Sequence, residues 1–209
     1  MMDKKIENLI CNSVEVLREE LIRAVSETVR IPSVNPLYEG PLEESENGET
    51  LVNAYMESIM KSIGLFTDVW AEAEGRNNLV GIYKGDGNGK SLLFNGHVDV
   101  VPPGNHNQWQ EPPFSGTIKN GSIWGRGAVD MKGGNAAILF TLKALLMNNL
   151  KPKGDVLIHS VVGEETKSNL LGTTACLKKG YTAYAAIVAE PTCGDNHFIL
   201  IRLLQVFLK

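Results

Sequence analysis

Three apolar runs, each ending in acidic or imidazole side chains, constrain the fold of this chain most strongly. They read SLLFNGHVD, DVLIHSVVGEE and AAIVAEP, and their apolar residues predict buried strands. A helical pattern over 134–150 precedes the second run, and another over 170–179 separates it from the third. Because strand and helix alternate at this spacing, the sequence predicts an α/β fold. We expect a mixed, partly parallel sheet flanked by helices and joined by right-handed crossovers.

The N-terminal part of the chain adds two helical patterns and further strands. Apolar residues recur every three or four positions over 6–29, before Pro32, and a second helical pattern covers 50–63 and leads into a strand. Two apolar runs at 78–83 and 91–95 flank KGDGNGK. We interpret KGDGNGK as a hairpin turn, since Asp-Gly and Asn-Gly supply the positive φ of tight turns. A phosphate-binding loop is disfavoured because no helix follows it.

Composition and charge narrow the class of protein. The 209 residues are 43% hydrophobic and 21% charged, as in an ordinary soluble domain, and the formal net charge is −4. No basic run with interleaved aromatics is present, so nucleic acid is not an expected partner. No window has the roughly 18 apolar residues of a membrane span, and acidic residues interrupt any N-terminal signal pattern. We therefore expect a cytoplasmic protein without a membrane partner.

The cysteines are odd in number and far apart, and none stands in a CxxC pair. They are Cys11, Cys176 and Cys193. This spacing does not match a zinc or redox motif, so we expect reduced thiols.

Six side chains follow the predicted strands or a Gly-rich turn: His97, Asp99, Asp130, Glu164, Glu165 and Glu190. Because the carboxyl ends of parallel strands meet at one edge of a sheet, these groups are expected to converge in one crevice. Carboxylates crowded together hold either a metal ion or a shared proton. We favour a metal, because mixed imidazole and carboxylate ligands suit zinc and because bridging carboxylates are typical of two-metal hydrolases.

Strand periodicity predicts the directions of these side chains. His97 and Asp99 are two residues apart and point to the same side, so the Asp99 carboxylate can accept a hydrogen bond from the imidazole nitrogen that does not bind metal. Adjacent Glu164 and Glu165 point different ways. One of them can bind metal while the other faces the substrate as general base.

Each residue taken alone also has a structural interpretation. A single histidine at a strand end is commonly a core residue, and a Glu-Glu pair is commonly solvated charge. For His106 and His159 a structural role is favoured, whereas His197 is kept as an outlying ligand candidate. The absence of a G-x-S-x-G elbow disfavours a serine hydrolase.

Motifs in a fixed order resemble those of the M20 metallopeptidase family, most closely its acetylornithine deacetylase and succinyl-diaminopimelate desuccinylase branch. They are RIPSVNP, NGHVDVVPPG, WGRGAVDMKGGNAA, VVGEET and AEPT. The resemblance covers about residues 21–192. It implies that 1–195 is the N-terminal part of a zinc-exopeptidase-like catalytic domain and that 196–209 is an apolar tail without a family counterpart.

The resemblance also implies a metal-dependent hydrolase of amide bonds. Members of this family use two zinc ions, sometimes cobalt. Carried over by motif, His97, Asp130 and Glu190 would bind the first ion, and Asp130 would bridge to a second ion that Glu165 also holds. A cis peptide is expected after Asp130.

The two remaining residues receive supporting roles from the same resemblance. Asp99 would orient the imidazole of the metal ligand. Glu164 would act as general base, taking a proton from the metal-activated water and later protonating the leaving amine. The expected substrate is a small N-acyl amino acid or a small peptide.

Two departures from the family pattern modify these expectations. The loop after the Glu-Glu pair reads EETKSNLLGT, where the family usually has glycines, and the family's dimerisation lid and last histidine ligand are absent. We therefore expect a truncated copy with one strongly held ion and weak or no activity. Alternatives are a non-catalytic metal-binding remnant and a dipeptidase or carboxypeptidase of the same family.

Overall fold

A computed structural model describes residues 3–38, 47–166 and 170–191, and the backbone of 200–201. The helices are α1 (Lys4–Val29), α2 (Gly48–Ser62), α3 (Gly133–Leu146) and α4 (Thr173–Lys178). The strands are β1 (Phe66–Ala73), β2 (Arg76–Tyr83), β3 (Leu92–His97), β4 (Thr117–Lys119), β5 (Ser122–Trp124), β6 (Val156–Val161), β7 (Ala185–Val188) and β8 (Leu200–Ile201).

One sheet forms the centre of the fold. Its strand order is β1-β2-β6-β3-β7-β8, and β4 pairs only with β5. Strand β3 is parallel to both β6 and β7, whereas β2 is antiparallel to β6 and β8 is antiparallel to β7. The predicted mixed, partly parallel sheet is therefore confirmed.

The hairpin predicted for KGDGNGK is wrong, because β6 lies between β2 and β3. The connection instead packs against the segment before β6. The amide of Asp86 donates to the Pro152 carbonyl at 3.2 Å, and the amides of Gly87 and Gly89 donate to the Lys153 carbonyl at 3.1 and 3.2 Å. All six residues of β6 are buried, so this strand gains most from a central position with a neighbour on each side.

Helices cover both faces of the sheet. On one face, Leu17 of α1, Met56 of α2 and Leu139 of α3 pack in one cluster with Leu79 and Ile158 of the sheet. This arrangement buries the apolar face of α2 and the C-terminal half of the stripe that predicted α1. In the N-terminal half of α1, Ile6, Leu9 and Val14 are exposed.

The opposite face is covered by α4 and the segment that follows it. Cys176 of α4 packs with Val80 and Val161, and Tyr181 lies against Leu93 and Leu157. The prediction of a sheet flanked by helices is thus confirmed.

Two predicted helices are shorter than expected. The helix predicted over 134–150 ends at Leu146, and Asn149 just beyond it has a positive φ of 55°. The helix predicted over 170–179 begins only at Thr173, after Gly172.

Within the described ranges, no helix is both long enough and apolar enough to cross a bilayer. Cys11 is exposed, Cys176 is buried, and neither forms a disulfide. Cys193 and His197 lie outside the described residues, as does most of the predicted tail 196–209. The boundary between residues 195 and 196 stays a prediction.

Candidate metal centre

The ends of β3 and β7 and the turn before α3 bring three potential ligands together. Nε2 of His97 lies 3.1 Å from Oδ1 of Asp130 and 3.5 Å from Oε1 of Glu190. One ligand atom from each residue lies within 4.8 Å of the other two. The imidazole is 1% exposed, whereas half of the Asp130 side chain is open to solvent. The convergence expected from the strand ends is therefore present for these residues.

The hydrogen bond at the far side of the His97 ring fits it for a metal. Nδ1 lies 2.8 Å from the backbone carbonyl oxygen of Asp99, which can only accept. In the neutral imidazole, Nδ1 therefore carries the proton and the Nε2 lone pair faces two carboxylates. Oxygen and nitrogen acceptors in such contact require a cation between them. One imidazole and two carboxylates form a donor set that suits zinc.

Charge at the centre leads to the same conclusion. Burial alone would lower the pKa of His97, but hydrogen bonds to Asp130 and Glu190 and the nearby charge of Asp99 raise it to about 11. The hydrogen bond with His97 in turn holds the pKa of Asp130 below its usual range. The cluster thus attracts positive charge, which either a proton or a metal ion can supply.

Asp99 makes different contacts from those expected. Its Oδ1 is 3.6 Å from His97 Nδ1, and it is the backbone carbonyl of Asp99 that bonds to the ring. The buried carboxylate instead accepts from the backbone amides of Gly163 at 3.0 Å, Glu164 at 3.2 Å and Glu165 at 3.1 Å. A carboxylate with no exposed surface needs such donors, and Asp99 consequently ties the end of β3 to the loop after β6.

Glu164 and Glu165 belong to this loop, the acidic loop (residues 163–166). Oε2 of Glu164 lies 3.8 Å from His97 Nε2, and the side chain is about half exposed at the edge of the centre. Glu165 lies outside the three-residue group. Burial and the charge of Asp130 raise the pKa of Glu165 to about 7. Burial raises the pKa of Glu164 as well, although the nearby imidazole of His97 counteracts this shift.

The turn that carries Asp130 is anchored on two sides. The peptide bond between Asp130 and Met131 is cis, as the family resemblance implied. Met131 is buried, and its sulfur accepts the backbone amide of His97 at 3.3 Å. The side chain of Lys132 extends towards α1.

The ammonium group of Lys132 is fully buried at the C-terminal end of α1. It donates to the carbonyl oxygens of Thr28 at 2.8 Å and Ile31 at 2.9 Å. Carbonyls at this end of a helix carry partial negative charge and are suited to a cation. Burial nevertheless lowers the pKa of Lys132 to about 7.

The first turn of α3 fixes the backbone of the histidine. Asn135 donates from Nδ2 to the His97 carbonyl at 2.6 Å. A Cβ on Gly96 would come within 2.0 Å of the Asn135 side-chain oxygen, so this position requires glycine. The glycine of NGHVD is thus explained by the close approach of α3.

Several residues at the centre were not identified from the sequence: Asn35, Tyr38, Lys132 and Asn135. For Asn35, Lys132 and Asn135 a signal was present in the motifs RIPSVNP and DMKGGNAA, whereas Tyr38 lies outside both motifs. Among the described histidines, His159 is buried within β6, His106 is exposed, and neither belongs to the ligand group.

Known proteins are similar in sequence to this chain. The sequence model described as "Peptidase family M20/M25/M40" matches residues 93–202. An N-formyl-4-amino-5-aminomethyl-2-methylpyrimidine deformylase of Halalkalibacterium halodurans is 36% identical over 187 residues, which are 88% of this chain and 41% of the relative. A succinyl-diaminopimelate desuccinylase of Roseobacter denitrificans is 33% identical, over 87% of this chain and 45% of the relative.

A solved structure shows the same likeness in three dimensions. The M20 family metallo-carboxypeptidase Sso-CP2 from Sulfolobus solfataricus superposes with a TM-score of 0.65 at 25% identity, over 81% of this chain and 37% of that one. The chain thus spans less than half the length of the relatives it matches. The desuccinylase belongs to the predicted branch, whereas no motif had indicated a deformylase.

Proposed function

Because the chain belongs to peptidase family M20/M25/M40, we propose that it is a metal-dependent hydrolase of amide bonds in small N-acyl amino acids or peptides. One observation carries this proposal. A single imidazole and two carboxylates, from His97, Asp130 and Glu190, place their ligand atoms within 4.8 Å of one another at the edge of a sheet. Such a donor set suits zinc, and cobalt can replace it.

Each residue then has a role in the reaction. A divalent ion held by His97, Asp130 and Glu190 would polarise the amide carbonyl and activate water. Asp130, half exposed, and Glu165 would hold a second ion. Within the described residues this second position has only carboxylate ligands, so we expect the ion at His97 to be held more strongly.

Glu164 carries out the proton transfers. Its carboxylate lies 3.8 Å from the imidazole and is about half exposed, so it can reach both the attacking water and the leaving nitrogen. It takes the water's proton as the nucleophile adds to the carbonyl and delivers it to the departing amine. Asp99 supports this step by holding the backbone of the acidic loop.

Two kinds of amide substrate are considered, an N-acyl amine and a peptide. A deacylase is favoured, because the curated relatives described above are named for removing formyl and succinyl groups. A peptidase is the second candidate, because the superposed structure is a metallo-carboxypeptidase. The proposed setting is the cytoplasm, without nucleic acid or membrane as partner.

Calorimetric titration with Zn²⁺ or Co²⁺ tests the metal centre. We expect one ion per chain in the wild type and loss of that ion in His97→Ala. Glu164→Ala should retain the ion and abolish hydrolysis of N-formyl, N-acetyl and N-succinyl amines, with Glu19→Ala on the exposed face of α1 as control. Hydrolysis unchanged in Glu164→Ala would show that the activity arises elsewhere, and absence of any bound ion would contradict the proposal.

A further inference from the structure

The motif RIPSVNP has no part in the proposed chemistry, yet its residues lie beside the metal centre. The segment 33–38 runs alongside the residues that follow β3. The amide of Val100 donates to the Ser33 carbonyl at 2.9 Å, and the amide of Asn35 donates to the Val100 carbonyl at 3.0 Å. Val34 and Val100 form a parallel bridge. The segment is therefore fixed to the strand end that carries His97.

From this position, Asn35 contacts the carboxylate that holds the acidic loop. Its Nδ2 donates to Oδ2 of Asp99 at 2.7 Å and to Oγ1 of Thr166 at 3.3 Å. Its Oδ1 accepts the amide of Leu37 at 3.0 Å, which fixes the orientation of the side-chain amide. Asn35 has no exposed surface. Both polar atoms of this side chain thus form hydrogen bonds, which fix its orientation.

Tyr38 contacts the same loop directly. Its hydroxyl donates to the backbone carbonyl of Glu165 at 2.6 Å. The acidic loop is consequently held from both sides, since Asp99 accepts its amides while Tyr38 donates to its carbonyl.

The geometry makes Asn35 the residue that orients Asp99. Oδ1 of Asp99 accepts from Gly163 and Glu164, whereas Oδ2 accepts from Glu165 and Asn35. The hydrogen bond from Asn35 is the shortest of these four, and its donor lies outside the loop. It therefore sets the rotation of the carboxylate to which three successive loop amides are bound.

We propose that Asn35 and Tyr38 are positioning residues that set the place of Glu164 and Glu165 at the metal centre. Asn35 acts through the Asp99 carboxylate, and Tyr38 acts through the Glu165 carbonyl. The functional importance of this placement rests on the proposed function. The physical link between segment 33–38 and the acidic loop does not depend on it.

Local hydrogen exchange, measured by NMR on the ¹⁵N-labelled full chain, tests the link. Tyr38→Phe removes one hydroxyl and keeps the ring, so the fold is retained. We expect the amides of Gly163, Glu164 and Glu165 to exchange about fivefold to tenfold faster, the effect of one lost hydrogen bond. Their proton resonances should also move upfield, while the amides of β6 stay unchanged. Asn35→Ala should produce a larger effect at the same three amides.

Ser33→Ala is the matched control. Ser33 belongs to the same segment and also uses a buried hydroxyl, but it donates to the Val98 carbonyl at 2.6 Å rather than to the acidic loop. We expect it to leave the exchange of the loop amides unchanged relative to β6. Equal acceleration in Ser33→Ala and Tyr38→Phe would show a general packing role and overturn the proposal. So would unchanged loop exchange in Tyr38→Phe.

Metal titration and hydrolysis separate this proposal from the proposed function. Tyr38→Phe should bind the ion of His97, Asp130 and Glu190 with wild-type affinity, because it touches none of these ligands. Where the wild type hydrolyses an N-acyl substrate, kcat should fall about tenfold in Tyr38→Phe, with KM within about twofold. If the wild type binds no ion, the proposed function fails and the exchange pattern alone decides the role of Asn35 and Tyr38.

Discussion

The hydrogen-bond partners of the buried polar residues at this centre determine their protonation and their orientation. His97 has one nitrogen on a carbonyl and the other on two carboxylates, so its tautomer and its ligand atom follow from its surroundings. Lys132 is buried without a carboxylate partner in the described contacts and is held by carbonyl oxygens at the end of α1. In both cases the buried nitrogen atoms face acceptors: a carbonyl and two carboxylates at His97, and two carbonyls at Lys132.

His159 shows the opposite situation and leads to a prediction about acid. It is 1% exposed within β6, and burial lowers its pKa to about 4. Since an unfolded histidine has a pKa of about 6.5, the unfolded chain binds an extra proton between these two values. Stability is therefore complete above pH 6.5 and is lost as the pH falls towards 4.

We expect His159→Asn to remove this acid sensitivity. The free energy of unfolding is measured by denaturant titration with chelator present. Between pH 7 and pH 4, that of the wild type should fall by about 2–3 kcal/mol more than that of the variant. The exposed His106→Asn serves as control and should leave the wild-type pH dependence in place. Parallel curves for wild type and His159→Asn would contradict this account.

Sequence reasoning was strongest at this scale where topology restricts positions. The convergence of His97 and Glu190 was predictable because carboxyl ends of parallel strands meet at one edge. Asp130, in a turn, joined them as a ligand only through the resemblance of its motif to the M20 family. The roles of Asn35 and Tyr38 were not predictable, because they depend on which loop packs beside them. An asparagine or tyrosine in an irregular segment has too many alternatives for spacing to select one.

At the scale of elements, the position of β6 was the main error of prediction. Apolar runs that are buried on both faces identify a strand without specifying its neighbours. The Asp-Gly and Asn-Gly signals in KGDGNGK indicate a reversal of the chain, but they are equally satisfied by a connection to a non-adjacent strand. Long-range pairing with β6 decided the outcome.

A buried ion pair joins the start of α2 to the start of β2. Arg76 donates to both carboxylate oxygens of Glu49 at 2.6 Å, and both side chains are less than a tenth exposed. Gly48 beside it has no room for a Cβ, which would lie 1.8 Å from the Pro32 carbonyl oxygen. The N-terminus of α2 is thus fixed both by charge and by close packing.

Removing one partner of this pair should be costly. Glu49→Gln leaves Arg76 as a buried, uncompensated cation, and we expect a loss of about 3 kcal/mol in the free energy of unfolding. Replacing both residues by methionine should recover most of the loss. Glu15→Gln, in the exposed pair with Arg18, is the control and should show no measurable change. A double variant as unstable as Glu49→Gln would contradict this explanation.

For the whole molecule, the candidate ligands lie far apart in sequence and close together in space. His97 ends β3, Asp130 precedes α3, and Glu190 follows β7. An ion bound to these three residues would link the sheet to the turn before α3. Because the ligand arrangement is absent from the unfolded chain, binding energy would add to folding stability.

We therefore expect Zn²⁺ to raise the melting temperature. At an ion concentration of about 100 times Kd, the added stability is about 2.7 kcal/mol, or roughly 5–10 °C for a chain of this size. Chelator should reverse the shift in a calorimetric scan. His97→Ala should show no shift, whereas His106→Ala, which removes an exposed histidine, should retain it. A shift that survives in His97→Ala would place the ion elsewhere.

The central place of β6 also governs the order in which the molecule can be assembled. On the ribosome, β1, β2 and β3 emerge well before β6, so β1–β2 is the one ladder of the described central sheet that can form before β6 is available. Until residue 161 has left the exit tunnel, β2 and β3 each present an unpaired apolar edge to solvent. A nascent chain in that state is a target for chaperones and for mispairing with other nascent chains. The strand that completes the sheet is therefore also the one that ends this period of exposure during synthesis.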